Sequence, residues 1–170
     1  LRLVPGMLVA RIDANKWAIS ACGFNGRFVQ KLLVLIDGRS VYTPLFSGVF
    51  WGVQDVLLED VERIEVIRGP GATLWGTNAV NGIINIVTRA AQDTQGGLVK
   101  TGVGSEERLF GQVRYGGAIG NTGYIRVYAK YFKRDDFVDG SGRPTADGWD
   151  MLRGGFRTDW RSGGNGLLTL

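Results

Sequence analysis

The sequence predicts two unlike parts in one chain: an α+β domain over residues 1–89, then antiparallel β-strands over residues 98–170. Three observations predict it. Between Ala90 and Gly97 the polar run AAQDTQGG separates two differently patterned halves, and it is read as a linker. Before it, short apolar runs are punctuated by Gly and Pro and interleaved with candidate helical turns. After it, apolar and polar residues alternate at period two.

In the first half, Val4-Pro5-Gly6 precedes a short strand candidate at Met7 to Val9, and Ala18 to Ala21 is another that ends at Gly23. LLVLIDGRSVY then supplies an apolar run, an Asp37-Gly38 turn and a returning Val41-Tyr42. Asp-Gly between strand-like runs predicts a hairpin, because a type I′ turn needs positive φ at both central residues. Gln54 to Asp60 reads as a helical turn or two leading into a strand at Ile64 to Ile67. In RGPGATLWGTNAVNG, Pro70 stands where a short helix begins and Gly76 where it stops, ahead of a strand at Ile83 to Thr88.

In the second half, Tyr124 to Phe132 places Ile125, Val127, Ala129 and Tyr131 on one face and Tyr124, Arg126, Tyr128 and Lys130 on the other. Asp150 to Arg161 repeats the pattern, with Leu152, Phe156 and Trp160 opposite Arg153, Arg157, Asp159 and Arg161. In a soluble sandwich the charged face meets solvent; in a membrane barrel the apolar face meets lipid and the charged face lines the lumen. Alternation alone fits both. The last three connections, Ala118 to Thr122, Lys133 to Gly148 and Ser162 to Gly166, run short, long, short, as barrels with short periplasmic turns and longer outer loops do.

Composition removes several function classes. The 20 Lys and Arg against 16 Asp and Glu are dispersed rather than gathered into a phosphate-tracking run, so no nucleic-acid partner is expected. With one cysteine, Cys22, and no histidine, the chain has no intramolecular disulfide framework and lacks the commonest general base and transition-metal ligand. Neither a zinc site nor an enzyme is expected. No stretch reaches the roughly 18 apolar residues of a membrane-spanning helix, which leaves strands of about 9 to 11 residues as a way to span a bilayer. The chain opens on Leu1 with no signal-peptide pattern, and its last residues read as a strand near its start, so both ends are expected to be truncations.

The run ERIEVIRGPGATLWGTNAVNGIINIVTR, Glu62 to Arg89, resembles the plug signature of TonB-dependent outer-membrane receptors. Upstream, LLVLIDGRSVYTP is similar to that family's "VLIDG" hairpin and AISACGFNG to its "IRGF" segment, and the alternating strands fall where the family's barrel begins. The resemblance covers nearly the whole chain. It implies an α+β plug domain followed by the first antiparallel strands of a transmembrane β-barrel, of a class whose lumen is plugged. It also implies transport without covalent chemistry: uptake of a ferric siderophore, haem, cobalamin or similar small-molecule ligand across the outer membrane, energised by TonB with ExbB and ExbD. The barrel lies in outer-membrane lipid, and no covalently bound cofactor is implied. The TonB-contacting box expected N-terminal to Leu1 is not in this sequence.

Family plug loops that meet substrate correspond to positions after the RGF-like segment and after the hairpin, which nominates Asn25, Arg27, Tyr42, Phe46 and Trp51 as substrate contacts. The aromatics of YTPLFSGVFW are equally readable as core. The family's RGP arginine, here Arg68, is implied to hold the plug in the barrel, with Arg63 and Glu65 on the same segment. At the position of the RGF arginine this chain has Cys22, a departure that leaves one half of the basic pair missing. A lone cysteine is ordinarily a small buried apolar residue.

Two sharper chemistries are weighed and set aside. The glycines of RGPGATLWG suggest a phosphate cradle, but the Walker spacing and a clean GxGxxG are absent, and close turns explain them. Glu59, Asp60, Glu62 and Glu65 lack a nucleophile and base constellation. The remaining competitor is a secreted or periplasmic β-rich binding module, which would carry open sheet edges and an uncovered apolar face.

Overall fold

A computed structural model describes residues 1–23, 26–27, 30–161 and 167–170, with the Phe46 side chain outside the description. The chain divides into two compact units, Leu1–Thr88 and Arg89–Leu170.

In the first unit, β1 (Met7–Arg11) pairs antiparallel with β2 (Trp17–Ala21). The reversal is organised by Asp13, whose carboxylate accepts from the backbone N–H of Asn15 at 3.1 Å and of Lys16 at 2.9 Å and pairs with the Lys16 ammonium. A four-stranded sheet follows, built from β3 (Leu32–Ile36), β4 (Arg39–Ser40), β7 (Val61–Arg68) and β8 (Gly82–Thr88) in the order β4-β3-β8-β7. The continuous apolar run of β3 is explained by its place: it pairs parallel with β8, its first four residues are buried, and such strands are covered on both faces. Leu32, Val34 and Ile84 join Ile19, Ala21, Val41 and Val49 in one core cluster, while Leu33, Leu35, Ala79 and Ile83 form a second.

Asp37 and Gly38 both have positive φ, 50° and 78°, so the hairpin between β3 and β4 turns as its Asp-Gly pair predicts. The return strand is shorter than expected. It ends at Ser40, and the chain leaves to form a second small hairpin, β5 (Tyr42–Thr43) with β6 (Gly48–Val49), around a 3-10 turn at Pro44–Phe46. The helical turn expected over Gln54 to Asp60 is reduced to a 3-10 turn at Leu58–Asp60, with another just ahead of the span at Trp51–Val53; neither has a side-chain cap, and such short helices gain little on their own. The helix α1 spans Ala72–Trp75, starting two residues later than Pro70 and stopping at Gly76. Gly71 is its N-cap, with φ −127° and ψ 11° outside the helical region, and donates its N–H to the Ala79 carbonyl at 2.8 Å.

The second unit is a five-stranded antiparallel sheet in sequential order: β9 (Gly96–Gly102), β10 (Glu107–Ile119), β11 (Gly123–Arg134), β12 (Trp149–Arg161) and β13 (Leu167–Thr169). Thirteen residues in β10, at about 3.3 Å each and tilted by about 45°, rise about 30 Å, which matches a hydrocarbon core. Side chains alternate as predicted: Arg126 is 4% exposed and its neighbour Val127 41%. The exposed face carries Val99, Val113, Tyr115, Val127, Leu152 and Phe156, all uncharged. Residues 90–97, expected as a linker, are instead ordered within this unit. Ala91–Thr94 form a 3-10 turn with Ala91 and Thr94 buried, and Gly96 and Gly97 already belong to β9. Among the described residues no helix is long and apolar enough to cross a membrane.

Candidate functional site

Of the candidate substrate contacts of the first unit, Tyr42 lies in the β5–β6 hairpin, Trp51 in the turn after it, and Arg27 beside Phe50. Tyr42 is half-buried in β5, opposite Val49, and its backbone N–H donates to Ser40 Oγ at 3.3 Å. Trp51 is half-buried as well, but it packs against the core cluster, so its ring supports the fold. Arg27 sits with its guanidinium carbon 5.7 Å from the Phe50 ring centroid, a cation–π distance. Phe46 ends the 3-10 turn at Pro44–Phe46, and its side chain, like all of Asn25, lies outside the described residues.

One residue at this hairpin escaped the sequence reading. Leu45, between Pro44 and Phe46 at the tip, is 82% exposed. It is a single large apolar side chain left open at a turn that folds around its proline. The signal was present as an aliphatic residue at a turn position, masked by the aromatics around it.

The charged residues of β7 are engaged within their own unit. Arg63 donates to Glu65 Oε1 at 2.7 Å and to Glu62 Oε1 at 2.9 Å, and the other Glu65 oxygen accepts from Asn85 Nδ2 at 2.8 Å. These hydrogen bonds, first from Arg63 and then from Asn85, hold the Glu65 carboxyl below its ordinary value, and Glu65 raises Arg63. Arg68 donates to the Pro5 carbonyl at 3.0 Å, and the Cys22 N–H donates to the Gly6 carbonyl at 3.1 Å, so the ends of β7 and β2 converge on one turn. Cys22 is exposed and has φ 55°, contrary to the buried reading of a lone cysteine, because it occupies a left-handed turn position.

In the second unit, the face opposite the apolar one is basic. Register places Lys130 beside Arg153 and Arg126 beside Arg157, two like-charge pairs across β11 and β12. Arg157 is compensated by Asp159 at 3.1 Å, and Arg126 donates to the Arg89 carbonyl at 3.0 Å. At the strand ends, Phe132 meets Trp149 edge-on at 5.1 Å with the Arg134 guanidinium carbon 4.7 Å from its ring centroid. The connection that follows β11 closes on itself through Asp139, whose carboxylate accepts from the Ser141 hydroxyl and N–H and the Arg143 N–H. The Ser141 hydroxyl and these backbone donors lower the Asp139 pKa.

In neither unit do the described groups above bring a nucleophile to an adjacent base. Among the described residues no group of three or more Cys, Asp or Glu side chains is placed to hold a metal ion.

Comparison with known proteins fits this picture. Residues 1–83 match the family model of the TonB-dependent receptor plug domain. The chain is 38% identical over 149 residues to the iron-regulated outer membrane virulence protein of Vibrio cholerae, covering 80% of this chain and 22% of that one. It is 28% identical over 139 residues to the vitamin B12 transporter BtuB of Vibrio vulnificus, covering 81% of this chain and again 22% of the relative. The chain therefore spans 22% of the length of these relatives. Among solved structures, the FrpB iron transporter of Neisseria meningitidis superposes with a TM-score of 0.76 at 17% identity, over 99% of this chain and 28% of that one. The copper transporter OprC superposes with a TM-score of 0.70 at 23% identity, over 94% and 24%. These structures share the fold, and the plug-domain match together with the relatives in sequence shows that the chain belongs to the TonB-dependent outer-membrane receptor family.

Proposed function

We propose that the receptor containing this chain takes up an iron complex, a ferric siderophore or a close chemical relative, with energy supplied through TonB, ExbB and ExbD. The observation that carries this reading is the 38% identity to a receptor named for its regulation by iron. The basic face of β11 and β12 supports it, since Lys130 and Arg153, paired across the two strands, favour an anionic ligand over a neutral one, while Arg126 and Arg157 are taken up by Arg89 and Asp159. Leu45, Tyr42 and Arg27 form the contact surface of the first unit in this reading, and Asn25 and the Phe46 side chain, also nominated from the sequence, lie outside the described residues. Trp51 is assigned to support of that surface because it packs on the core. The reaction is binding and transport, with no bond made or broken.

A second reading, cobalamin uptake, is favoured by the 28% identity to the vitamin B12 transporter BtuB. The two separate in a growth test. A deletion strain and its complemented partner are grown on single defined iron sources and on limiting cobalamin. Loss of growth on one or more ferric siderophores, restored by the gene, is the expected result. Dependence on the gene only under limiting cobalamin would replace the iron reading with the second one.

A further inference from the structure

The start of the second unit is held by side chains that reach it from the middle of its own sheet. Arg126 of β11 is 4% exposed and donates Nη1 to the Arg89 carbonyl at 3.0 Å. Asp159 of β12 is 3% exposed and accepts from the Ala91 N–H at 2.6 Å. That N–H opens the 3-10 turn Ala91–Thr94 and has no acceptor within the turn, so the carboxylate satisfies a donor that would otherwise be buried and unmade. Arg161 donates Nη2 to Gln92 Oε1 at 2.9 Å. The Thr94 carbonyl lies so close to Gly116 of β10 that a Cβ there would collide with it. Asp159 is fixed in turn by the Thr169 hydroxyl of β13 at 2.7 Å and by Arg157 at 3.1 Å.

These contacts are more than a linker needs. Among the described residues the strand β9 comes last in its sheet and pairs with β10 alone. Tension applied at Arg89 to an unclamped β9 would fall on the ladder of β9 itself. With Arg89, Ala91 and Gln92 tied to β11 and β12, the same load falls on several bonds together and on strands paired along both sides.

We propose that Arg126, Asp159 and Arg161 form a mechanical stop that lets the first unit rearrange or unravel while β9 remains in the sheet. The purpose of such a stop rests on the energised-uptake reading above; its existence does not.

The test is mechanical and involves no transport. The receptor carrying this chain, reconstituted in lipid vesicles, is pulled from the N-terminal side of Leu1 in single-molecule force spectroscopy. Wild type is compared with Asp159→Asn, Arg126→Gln and the double variant. Wild type should stop extending once residues up to Thr88 are drawn out. The variants should add a final step of roughly 50 Å, residues 89–102 at about 3.5 Å each, at loads wild type withstands. The same final extension and force in all four proteins would overturn the proposal. Amide hydrogen exchange on the folded single variants is the second measurement: exchange over residues 91–94 should quicken about tenfold with β10 to β12 unchanged. Equal loosening of those strands, or no change at 91–94, would overturn it as well. Because neither measurement involves TonB or a ligand, failure of the uptake reading leaves both results interpretable.

Discussion

The Asp37 carboxylate accepts two hydrogen bonds from Thr88, 51 residues later, one from its backbone N–H at 2.7 Å and one from its hydroxyl at 2.8 Å. One residue thus makes the hairpin after β3 and secures the end of β8, the last strand of the first unit. Gly38, with φ 78°, permits the second half of that turn.

Asp37→Ala should lower stability by about 1–3 kcal/mol, since it leaves a part-buried donor pair unmet and puts alanine at a positive φ. Asp37→Asn keeps the turn preference and one acceptor and should cost about half as much. Urea midpoints of the three proteins, at unchanged m-value, measure this. Equal midpoints for Asp37→Ala and wild type would show that the Thr88 bonds carry no net stability.

That turn also shows what could be read from sequence. Asp37-Gly38 was legible because the backbone conformation admits few residue types, and β10 to β12 were legible because one buried and one exposed face impose period two. The parallel pairing of β3 with β8 was not, since a continuous apolar run reports burial on two faces without naming the neighbour. Residues 90–97 looked like a linker because Gln92, Asp93 and Thr94 are polar; the turn is nonetheless seated by side chains from residues 126, 159 and 161, which local composition does not encode. Asp159 read as one more lumen-face charge for the same reason. At the β5–β6 hairpin the segment was found from its aromatics, yet the division into core and surface depended on packing, which sets Trp51 against the core cluster and leaves Leu45 exposed.

Leu45 and Trp51 should therefore fail in different ways. Leu45→Ala removes exposed apolar surface and should weaken ligand affinity several-fold with stability within about 0.5 kcal/mol of wild type. Trp51→Ala strips a half-buried ring from the core and should cost about 2 kcal/mol of stability. Binding and unfolding measured on both variants give a crossed pattern. A Leu45→Ala protein that binds as wild type does would remove the hairpin tip from the contact surface.

Glu65 supplies a prediction about acid. Its folded pKa lies below the ordinary 4.5 because Arg63 and then Asn85 hydrogen-bond to the charged form. A carboxyl with a depressed folded pKa contributes stability that is present above the unfolded value and is lost as pH falls through the folded one. Tethering of β7 to β8 through Glu65 and Asn85 should thus persist above about pH 4.5 and fade below it. Arg63→Gln removes the larger cause and should move the Glu65 titration upward, toward 4.5, in carbon-detected NMR of the labelled carboxyl. A titration unmoved by that substitution would mean Asn85 alone holds the charge.

The apolar face of the second unit sets the last prediction. Phe156 is 67% exposed and pairs with Val127, while its neighbour Arg157 points to the opposite face and its carboxylate partner. If that face meets hydrocarbon, Phe156→Arg puts a guanidinium into the bilayer at a cost of about 2–4 kcal/mol, greatest near the midplane. Phe156→Leu, a smaller apolar residue in the same place, should cost less than about 1.5 kcal/mol. Folding of the receptor into lipid vesicles, followed by the mobility of the unheated protein on gels, should show a large loss for the arginine variant alone. A water-facing sheet reverses the expectation, because an exposed arginine there adds solubility at little cost in stability. Efficient vesicle folding of Phe156→Arg would take the lipid contact away from this face.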